Sequence, residues 1–509
     1  MAQGSLSSLN WASQFLEGTP GDEVTGGSPR QVPGACWSRV RPEPMPEPVL
    51  RLWSDEVARE IGLEVAEPGL LGGNGLVDGM DPYAQRYGGY QFGNWAGQLG
   101  DGRAITLGEV VKGHGALELQ LKGSGKTPYS RFSDGRAVLR SSIREFLCSE
   151  AMYHLGVPTT RALSLVTTGE DVIRDVMYDG RPAPEPGAIV CRLAESFIRF
   201  GSFEIHSMSG DYRTLRILVD NTVRRHFPGH SSNTDEGLVE WLMEVAARTS
   251  QTIAHWMRVG FVHGVMNTDN MSIHGLTIDF GPYGWLEGFD PGWTPNTTDA
   301  RTRRYSYGQQ AQIGAWNFAR LVESISPLME DPVRLNGALD SYYDSYREHS
   351  SRMWAEKLGL DEFEEGDGDL VTDLTSNLQL TETDMTIFFR LLSTIDGTDV
   401  ENLDPAFYDE GEIRSDEWNA WLTRWWDRVD GKPDRKGMLQ ANPKYVLRNW
   451  MAQLAIDAAE KGDYSVAMEL YEMLKNPYNE QSEHEEKWFS KRPEWARNRV
   501  GCSMLSCSS

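Results

Sequence analysis

The chain has 509 residues and carries 49 Lys and Arg against 74 Asp and Glu, a formal net charge of −25 at pH 7. Hydrophobic residues make up 39% of it, including 17 Trp, so there is material for a large core and general disorder is excluded. The charge argues against a protein that binds nucleic acid through its overall charge, because phosphate contacts need local cations. No run approaches the roughly 20 apolar residues of a membrane helix. We therefore expect neither a nucleic-acid partner nor a membrane.

The cysteines number five, too few for a disulfide framework in a chain of this length. We expect Cys36, Cys148 and Cys191 to be buried as small hydrophobic side chains. Cys502 and Cys507 lie in the polar tail GCSMLSCSS, where we expect exposed thiols, open to redox chemistry or to a bridge with each other. The N-terminal residues lack the basic start and apolar stretch of a signal peptide.

The first predicted element is an extended arm over 19–50, which is broken by Gly and Pro and is expected to lie as a strap on the surface. Ala116–Lys122 alternates apolar and polar residues between glycines, a pattern typical of a strand. The apolar spacing in 134–156 predicts a helix that ends at Gly156, since Pro158 prevents its continuation.

Helical patterns dominate the second half of the chain. The predicted segments are helices over 236–259 and 309–327, a strand–loop–strand over 261–284, an acidic loop over 355–373 and a helical pair over 443–475.

The most specific motif lies in the strand–loop–strand segment. HGVMNTDN at 263–270 is followed nine residues later by DFG at 279–281. Phosphoryl-transfer enzymes of the kinase type need an Asp that addresses the acceptor hydroxyl, and an Asn and a second Asp that hold Mg²⁺ on the phosphates. Those residue types occur here in the expected order, which predicts a catalytic Asp269 and a metal site at Asn270 and Asp279.

A kinase-like site also needs a strand lysine that pairs with a helix glutamate. Lys122 ends the predicted strand, and Glu145 lies within the predicted helix that follows. Their separation of 23 residues fits a strand, a turn and two to three helical turns. We therefore predict an ion pair between these two side chains.

Basic residues are concentrated between Lys112 and Arg144, where seven basic and two acidic residues give a net +5. We interpret this window as an anion site, with surface cations neutralised by their neighbours as the alternative. The turn GDGR at 100–103 is a weaker signal, because a hairpin without a ligand has the same pattern. Arg192 and Arg199 are seven residues apart and share a face if helical. They are candidates for further phosphate contacts, with ordinary salt bridging as the alternative.

Taken together, these stretches resemble the selenoprotein O family, also called the YdiU proteins. The resemblance runs from about residue 29 to 464 and includes YGGYQFGNWAGQLGDGR, LKGSGKTPYSRFSDGRAVLRSSIREFL, RLAESFIRFGSFE and HGVMNTDNMSIHGLTIDFGPYGWLE. It implies a two-lobed, protein-kinase-like α+β fold with an N-terminal strap and a helical C-terminal extension. The implied parts are an N-terminal extension (1–80), an N-lobe (81–200), a helical C-lobe with the catalytic and metal-binding loops (201–480) and a Cys-containing tail (481–509).

The resemblance also implies an activity, since members of the family bind ATP in a flipped orientation and transfer AMP to Ser, Thr or Tyr hydroxyls of proteins. It implies that Asp269 is the proton acceptor and that Asn270 and Asp279 bind Mg²⁺, with Mn²⁺ as an alternative. Lys122 is implied to contact phosphate and to pair with Glu145. The further residues implied to line the nucleotide are Gly100, Gly102, Arg103, Asp134, Gly135, Arg192, Arg199 and Asp279.

Some positions depart from the kinase or family pattern. Gly264 replaces the Arg that follows His in kinases, and a charged Arg103 in the Gly-rich turn suits a reversed triphosphate. Tyr90 stands where the family commonly has His, so that contact is not carried over. In some members a tail Cys pairs with one just after the Asp-Phe-Gly segment, but no Cys occurs between Cys191 and Cys502 here, which excludes that bridge.

Three functions remain open at this point. The first is a Mg-dependent protein adenylyltransferase, the second a protein kinase that uses the same residues on the γ-phosphate, and the third a non-catalytic nucleotide-binding redox sensor. The expected partners are ATP and protein substrates, and the chain is expected to be a monomer. We expect a bacterial cytoplasm, or a mitochondrion if the chain is eukaryotic.

Overall fold

Strands occupy much of the chain before residue 195, and helices occupy most of the remainder. The structure is a computed structural model that describes residues 4–113, 115–177, 180–409 and 415–506. The strands are β1 (Trp11–Ala12), β2 (Gly21–Asp22), β3 (Trp37–Arg39), β4 (Val49–Trp53), β5 (Tyr83–Gln85), β6 (Tyr90–Gln91), β7 (Asn94–Trp95), β8 (Ala104–Lys112), β9 (Gly115–Lys122), β10 (Ala137–Val138), β11 (Arg161–Arg174), β12 (Ala183–Ala194), β13 (Phe261–Val262) and β14 (Gly284–Trp285).

The helices fall in three groups along the chain. Those before residue 230 are α1 (Gln14–Gly18), α2 (Asp55–Ile61), α3 (Pro68–Leu71), α4 (Leu139–His154), α5 (Phe200–Met208) and α6 (Tyr212–His226). The middle group is α7 (Asp235–Val259), α8 (Gln310–Ile325), α9 (Leu335–Leu358), α10 (Asp367–Leu380) and α11 (Met385–Leu392). The last group is α12 (Ser415–Arg428), α13 (Arg435–Ala441), α14 (Asn449–Ala459), α15 (Ser465–Leu474) and α16 (Ser482–Trp488). The α+β class is therefore confirmed.

One mixed sheet organises the first part of the chain. Within the described residues it has ten strands, with a main path β2-β3-β5-β8-β9-β12-β11-β4, while β1 pairs with β8 and β10 with β12. The pairing of β2 with β3 is parallel, and the central pairs β8–β9, β9–β12 and β12–β11 are antiparallel. In the β9–β12 register Lys122 lies opposite Val190 and Gln120 opposite Arg192. These two positions of β9 are two residues apart, so Gln120, Lys122 and Arg192 share one face of the sheet.

Helix α4 packs against β11 and β12 on this sheet. Its apolar stripe, which includes Ile143, Phe146 and Leu147, is buried in the largest core cluster. The helix starts at Leu139, later than predicted, because β10 occupies the two residues before it. Gly156 follows with a φ of +72°, a left-handed conformation that ends the helix where predicted.

Several predicted segments match the structure, and one is only partly correct. The helices over 236–259 and 309–327 and the pair over 443–475 are present as α7, α8, α14 and α15. The acidic loop predicted over 355–373 is shorter than predicted, because α9 continues to Leu358 and α10 begins at Asp367, which leaves 359–366 as the loop. Asp361, Glu362, Glu364 and Glu365 are exposed in this loop, whereas Asp367 and Leu370 of α10 are buried, Leu370 in the core around α12.

The N-terminal segment is more than a strap. Residues 19–50 supply β2, β3 and the start of β4, and Cys36 and Trp37 are buried in the main core. Cys148 and Cys191 are also buried, as predicted.

The tail thiol prediction is wrong for Cys502, which is only 5% exposed. The side chain of Asn449 donates a hydrogen bond to the Cys502 carbonyl at 2.8 Å, so α14 anchors the tail. Cys507 lies outside the described residues. None of the helices in the described part of the chain is both long and apolar enough to cross a membrane.

Candidate active site

The predicted ion pair between a strand lysine and a helix glutamate is present. Lys122 ends β9, Glu145 lies in α4, and Lys122 Nζ is 2.5 Å from Glu145 Oε2. Both side chains are buried. Burial lowers the pKa of Lys122, and the Glu145 carboxylate opposes that shift. The pair therefore keeps a cation at the end of a central strand.

Arg192 extends this pair from the neighbouring strand β12. Its Nη1 donates to Glu145 Oε1 at 3.0 Å and to Asp279 Oδ1 at 2.7 Å. Its Nε and Nη2 both donate to Gln120 Oε1, at 2.9 and 2.6 Å. The guanidinium is thus fixed by the sheet, and it joins Glu145 of the helix to Asp279 of the Asp-Phe-Gly motif.

Asp279 is surrounded by cations. Its carboxylate accepts hydrogen bonds from Arg192 and Arg199, and Lys122 Nζ lies 3.9 Å from Oδ1. Burial alone would raise the pKa of this carboxyl, but the guanidinium groups of Arg199 and Arg192 hold it well below its ordinary value. Its backbone has a φ of +58°, in the left-handed region. Few residues other than glycine adopt this conformation, and Asp is one of the residues enriched among them.

Arg199 links the two motif loops, which are the loop that carries HGVMNTDN at 263–270 and the loop that carries DFG at 279–281. It immediately precedes α5, and its Nη1 donates both to the Asp269 carbonyl at 2.8 Å and to the Asp279 carboxylate. Arg192 and Arg199 do not share a helical face, because Arg192 lies in a strand and Arg199 precedes a helix. They still converge, because both point their guanidinium groups at one carboxylate.

The predicted catalytic residue lies in a 3₁₀ turn, Thr268–Asn270. Burial raises the pKa of Asp269 to about 6, although the positive charge of Arg199 opposes the shift. Such a carboxylate accepts a proton readily near neutral pH. The side-chain amide of Asn270 donates to the Val265 carbonyl at 2.9 Å, which leaves its amide oxygen for a ligand.

A short hairpin, β6–β7, covers this turn, and the sequence reasoning did not assign it a role. The main-chain N–H of Tyr90 donates to Thr268 Oγ1 at 2.8 Å, and Gln91 Nε2 donates to Asp269 Oδ2 at 3.3 Å. A Cβ on Gly89 would lie 2.5 Å from Asp269 Oδ1, so only glycine permits this approach. The adjacent glycines of YGGYQFG were the available signal.

The Gly-rich turn precedes β8 and packs against the loop that follows β9. A Cβ on Gly100 would lie 2.4 Å from the Tyr129 ring, and one on Gly102 would lie 3.0 Å from the Tyr129 carbonyl oxygen. Arg103 follows, and its carbonyl accepts from Gly123 N at 2.7 Å, next to Lys122. In the described residues Arg103 has no ion pair with a carboxylate.

Two further predicted residues lie in that loop. Asp134 accepts from Arg174 at 2.6 and 2.8 Å, and in the described residues no hydrogen bond joins it to the Asp279 cluster. Gly135 has a φ of +73° and is packed against the backbone of Gly125. Both shape the loop beyond Lys122.

Some cations of the basic window are paired with carboxylates, while the anion site that the window predicts stays a prediction. Arg136 pairs with Glu43 and Glu170, and Arg140 pairs with Glu185. Lys122 is the member of the window that reaches the Asp279 cluster.

Two buried residues that the sequence reasoning missed support Arg199. Its Nη2 lies 3.8 Å from Asp101 Oδ1, and its guanidinium lies over the Tyr87 ring, 4.4 Å from the centroid. Asp101 is itself held by the N–H of Gln85 and by Gln120 Nε2. Tertiary contacts alone bring these residues together.

The residues present fit a magnesium ion. Mg²⁺ prefers oxygen donors and usually binds one or two carboxylates together with substrate phosphates. The amide oxygen of Asn270 and the carboxylate of Asp279 are such donors. Asp269 Oδ1 is buried and has no hydrogen-bond partner among the described residues, which adds a third oxygen nearby.

Comparison with known proteins matches residues 30–475 to the family described as "Protein adenylyltransferase SelO". The chain is 53% identical to "Protein nucleotidyltransferase YdiU" of Aromatoleum aromaticum over 518 residues, which cover 98% of this chain and 99% of the relative. Proteins of the same name from Nitrosospira multiformis and Flavobacterium johnsoniae are 52% and 49% identical, with at least 96% of each chain covered.

The site combines a buried Lys–Glu pair, convergent arginines and oxygen atoms that could bind a metal. This combination is typical of a transferase that acts on nucleotide phosphates. The chain belongs to the protein adenylyltransferase SelO family. The resemblance predicted from the sequence is confirmed, as is the prediction of a nucleotidyltransferase.

Proposed function

We propose that the chain transfers AMP from ATP to Ser, Thr or Tyr hydroxyls of proteins in a Mg²⁺-dependent reaction, with Mn²⁺ as an alternative ion. The observation that carries this proposal is the convergence of Lys122, Arg192 and Arg199 on Asp279, beside a carboxyl at Asp269 whose pKa is raised to about 6. Membership in the adenylyltransferase family supports the transfer of AMP.

The nucleotide-binding roles follow from the positions of the cations. Lys122, held by Glu145, and the two arginines would contact the phosphates, and Asn270 and Asp279 would hold the metal. The remaining residues proposed to line the nucleotide are Gly100, Gly102, Arg103, Asp134 and Gly135. The unpaired guanidinium of Arg103 beside Lys122 suits a triphosphate in reversed orientation.

The chemistry needs one base and charge neutralisation. Asp269 accepts the proton of the acceptor hydroxyl as its oxygen bonds to the α-phosphorus. The bond from the α-phosphorus to the bridging oxygen of the β-phosphate breaks, and pyrophosphate leaves. Lys122 and Arg192 stabilise the charge that develops on the phosphate oxygens. A bound Mg²⁺ supplies further charge neutralisation.

The acceptor protein would approach through an open groove of about 1080 Å³ beside the catalytic turn. Phe92, Arg301, Arg303, Arg304 and Trp316 line it. In the described residues these three arginines form no ion pair with a carboxylate, which is unusual in a chain of net charge −25. The groove therefore suits an acidic segment that carries the acceptor hydroxyl.

We also propose that the chain has the two-lobed arrangement of a protein kinase. The proposed parts span residues 1–80, 81–200, 201–480 and 481–509, the ranges predicted from the sequence. The sheet with α4 supports the N-lobe, and the helices from α5 onward support the C-lobe. A bacterial cytoplasm is the proposed location, because the relatives named above are bacterial. A monomer remains a prediction.

A direct test of this function uses ATP labelled at the α-phosphate or the γ-phosphate, Mg²⁺ and an acceptor protein. The adenylyltransferase transfers the α-label to protein and releases pyrophosphate. Transfer of the γ-label alone would instead identify a kinase. Binding of ATP without transfer of either label would favour the nucleotide-binding redox sensor.

A further inference from the structure

Three side chains with metal-binding atoms meet outside the nucleotide site. Glu195 directly follows β12, His226 ends α6, and His274 lies between Asn270 and Asp279. Within the described residues, one ligand atom from each of the three lies within 4.8 Å of the other two. Three separate parts of the fold therefore supply this cluster.

The two imidazoles have unused nitrogen atoms. His226 Nε2 and His274 Nδ1 are buried and have no hydrogen-bond partner among the described residues. His274 is 5% exposed, and its other nitrogen, Nε2, lies 2.7 Å from Ser196 Oγ. When Nε2 carries the proton and donates to this hydroxyl, Nδ1 presents a lone pair to the cluster. A second hydrogen bond of this kind is what fixes the tautomer of metal-binding histidines.

The third ligand faces the same point. Glu195 Oε2 lies 3.4 Å from His274 Nδ1, close to the ligand–ligand separation of about 3.3 Å in a tetrahedral zinc site. In the tautomer with the proton on Nε2, the Glu195 carboxylate and the Nδ1 lone pair of His274 repel each other unless a cation lies between them. Burial disfavours a protonated ring as the solution. A metal cation resolves the same conflict without a buried imidazolium.

Two arginines lie near the cluster, and their charges are compensated. Arg225 Nη2 is 2.7 Å from Glu109 Oε2, and Arg248 pairs with Glu244 one helical turn away. Positive charge therefore does not exclude a metal from the site.

We propose that Glu195, His226 and His274 bind a transition metal of the zinc class. Imidazole nitrogen suits Zn²⁺ and its first-row neighbours, whereas Mg²⁺ and Ca²⁺ prefer sites made only of oxygen. Glu195 and His226 line an open groove of about 1060 Å³, so water or a further ligand can reach the fourth position. This site is separate from the Mg²⁺ site at Asn270 and Asp279.

Metal at this site would join the end of β12 and the end of α6 to the segment between the two motif loops. Because that segment carries His274 between Asn270 and Asp279, the metal would stabilise the active-site loops in the folded state. Binding to the folded state alone raises the melting temperature as the metal concentration rises.

The test uses the full chain, stripped with a chelator and titrated with Co²⁺ in excess Mg²⁺. We expect one equivalent of Co²⁺ to produce visible d–d absorption that Zn²⁺ removes, and Zn²⁺ to raise the melting temperature. His226→Ala and the exposed Glu195→Gln should each weaken Co²⁺ binding by at least about tenfold. His349→Ala, at a partly exposed histidine of α9, is the matched control and should bind Co²⁺ like the parent chain.

Asp279→Ala separates this site from the catalytic metal and should leave the Co²⁺ spectrum unchanged. The proposal is overturned if the parent chain shows no such absorption, or if folded Glu195→Gln and His226→Ala variants bind Co²⁺ as tightly as the parent. Circular dichroism of each variant confirms folding. Loss of the spectrum in Asp279→Ala alone would place the metal in the active site instead.

Discussion

Arg192 Nη1 lies 2.7 Å from Asp279 Oδ1, so the carboxylate that we propose as a metal ligand is bound to the central sheet by an ion pair. The pKa of Asp279 is held well below its ordinary value, although burial opposes that shift. A metal ion must therefore share this carboxylate with arginine. Triphosphate oxygens offer the arginines and Lys122 alternative partners, which explains how metal and nucleotide can bind together.

Replacing Lys122 tests the buried ion pair. Lys122→Met should reduce AMP transfer by about 10²–10³, because it removes a phosphate contact and leaves Glu145 with Arg192 alone. A radiolabel assay with matched thermal unfolding separates a loss of catalysis from a loss of folding. Lys126→Ala, at an exposed lysine of the following loop, is the control and should retain transfer. Equal activity of the two variants would remove Lys122 from the site.

The pH dependence tests Asp269 as the proton acceptor. The transfer rate should rise with pH through a midpoint near the Asp269 pKa of about 6, because only the ionised carboxylate accepts a proton. Asp269→Asn should lower the rate by about 10²–10⁴ and remove this rise. A variant that keeps the same pH profile would show that another group titrates.

The same substitution should stabilise the fold. Burial raises the Asp269 pKa from 3.8 to about 6, so between these pH values the folded chain binds more protons than the unfolded chain. Stability contributed by this group is thus lost as pH rises, and the ionised form costs stability above about pH 6. Asp269→Asn should raise the free energy of unfolding by about 1–3 kcal/mol at pH 7.5 and by much less at pH 4. Denaturant titrations at both pH values measure this; an equal effect at both would contradict it.

The β6–β7 hairpin over the catalytic turn should lower the pKa of Asp269. Gln91→Ala removes the hydrogen bond to Asp269 Oδ2 that favours the ionised form, so the midpoint of the pH–rate profile should move upward. Asn94→Ala changes an exposed residue of the same hairpin and should leave the midpoint in place. A downward shift in Gln91→Ala would refute this role for the hairpin.

The arginine groove should select acceptor proteins. Arg301→Glu with Arg303→Glu should reduce transfer to an acidic acceptor by about tenfold, because the favourable charge becomes repulsive. Arg213→Glu, which makes the same charge change per substituted residue on α6 outside the groove, is the control. ATP binding, measured by calorimetry, should be unchanged in both variants. Undiminished transfer in the double variant would show that acceptors bind elsewhere.

Local patterns predicted those parts of the site that depend on sequence order. Lys122 and Glu145 were predictable because an alternating strand and an amphipathic helix place them at fixed spacing. Gln91 was not, since its contact with Asp269 spans 178 positions of the chain. The spacing of seven between Arg192 and Arg199 fits one face of a helix, but spacing alone does not show whether Arg192 lies in a helix. The strand that actually holds it is defined by pairing with β9 and β11.

Composition alone did not predict two features that depend on tertiary packing, the burial of Cys502 and the extent of the acidic loop. The polar tail predicted an exposed Cys502, but Asn449 binds its carbonyl and the chain buries the thiol. The acidic stretch 355–373 predicted one long loop, but the loop covers only 359–366, because apolar residues such as Leu370 pack the following residues as helix α10 against α12. Polar content describes the outer face of such a segment and does not exclude a buried inner face.

The central claim is that this site acts on the α-phosphate of ATP, and the position of the transferred label tests it most directly. With Mg²⁺ and an acceptor protein, we expect α-labelled ATP to label the acceptor, with an added mass of one AMP and loss of labelling in Asp279→Ala. Labelling from γ-labelled ATP alone would contradict the account.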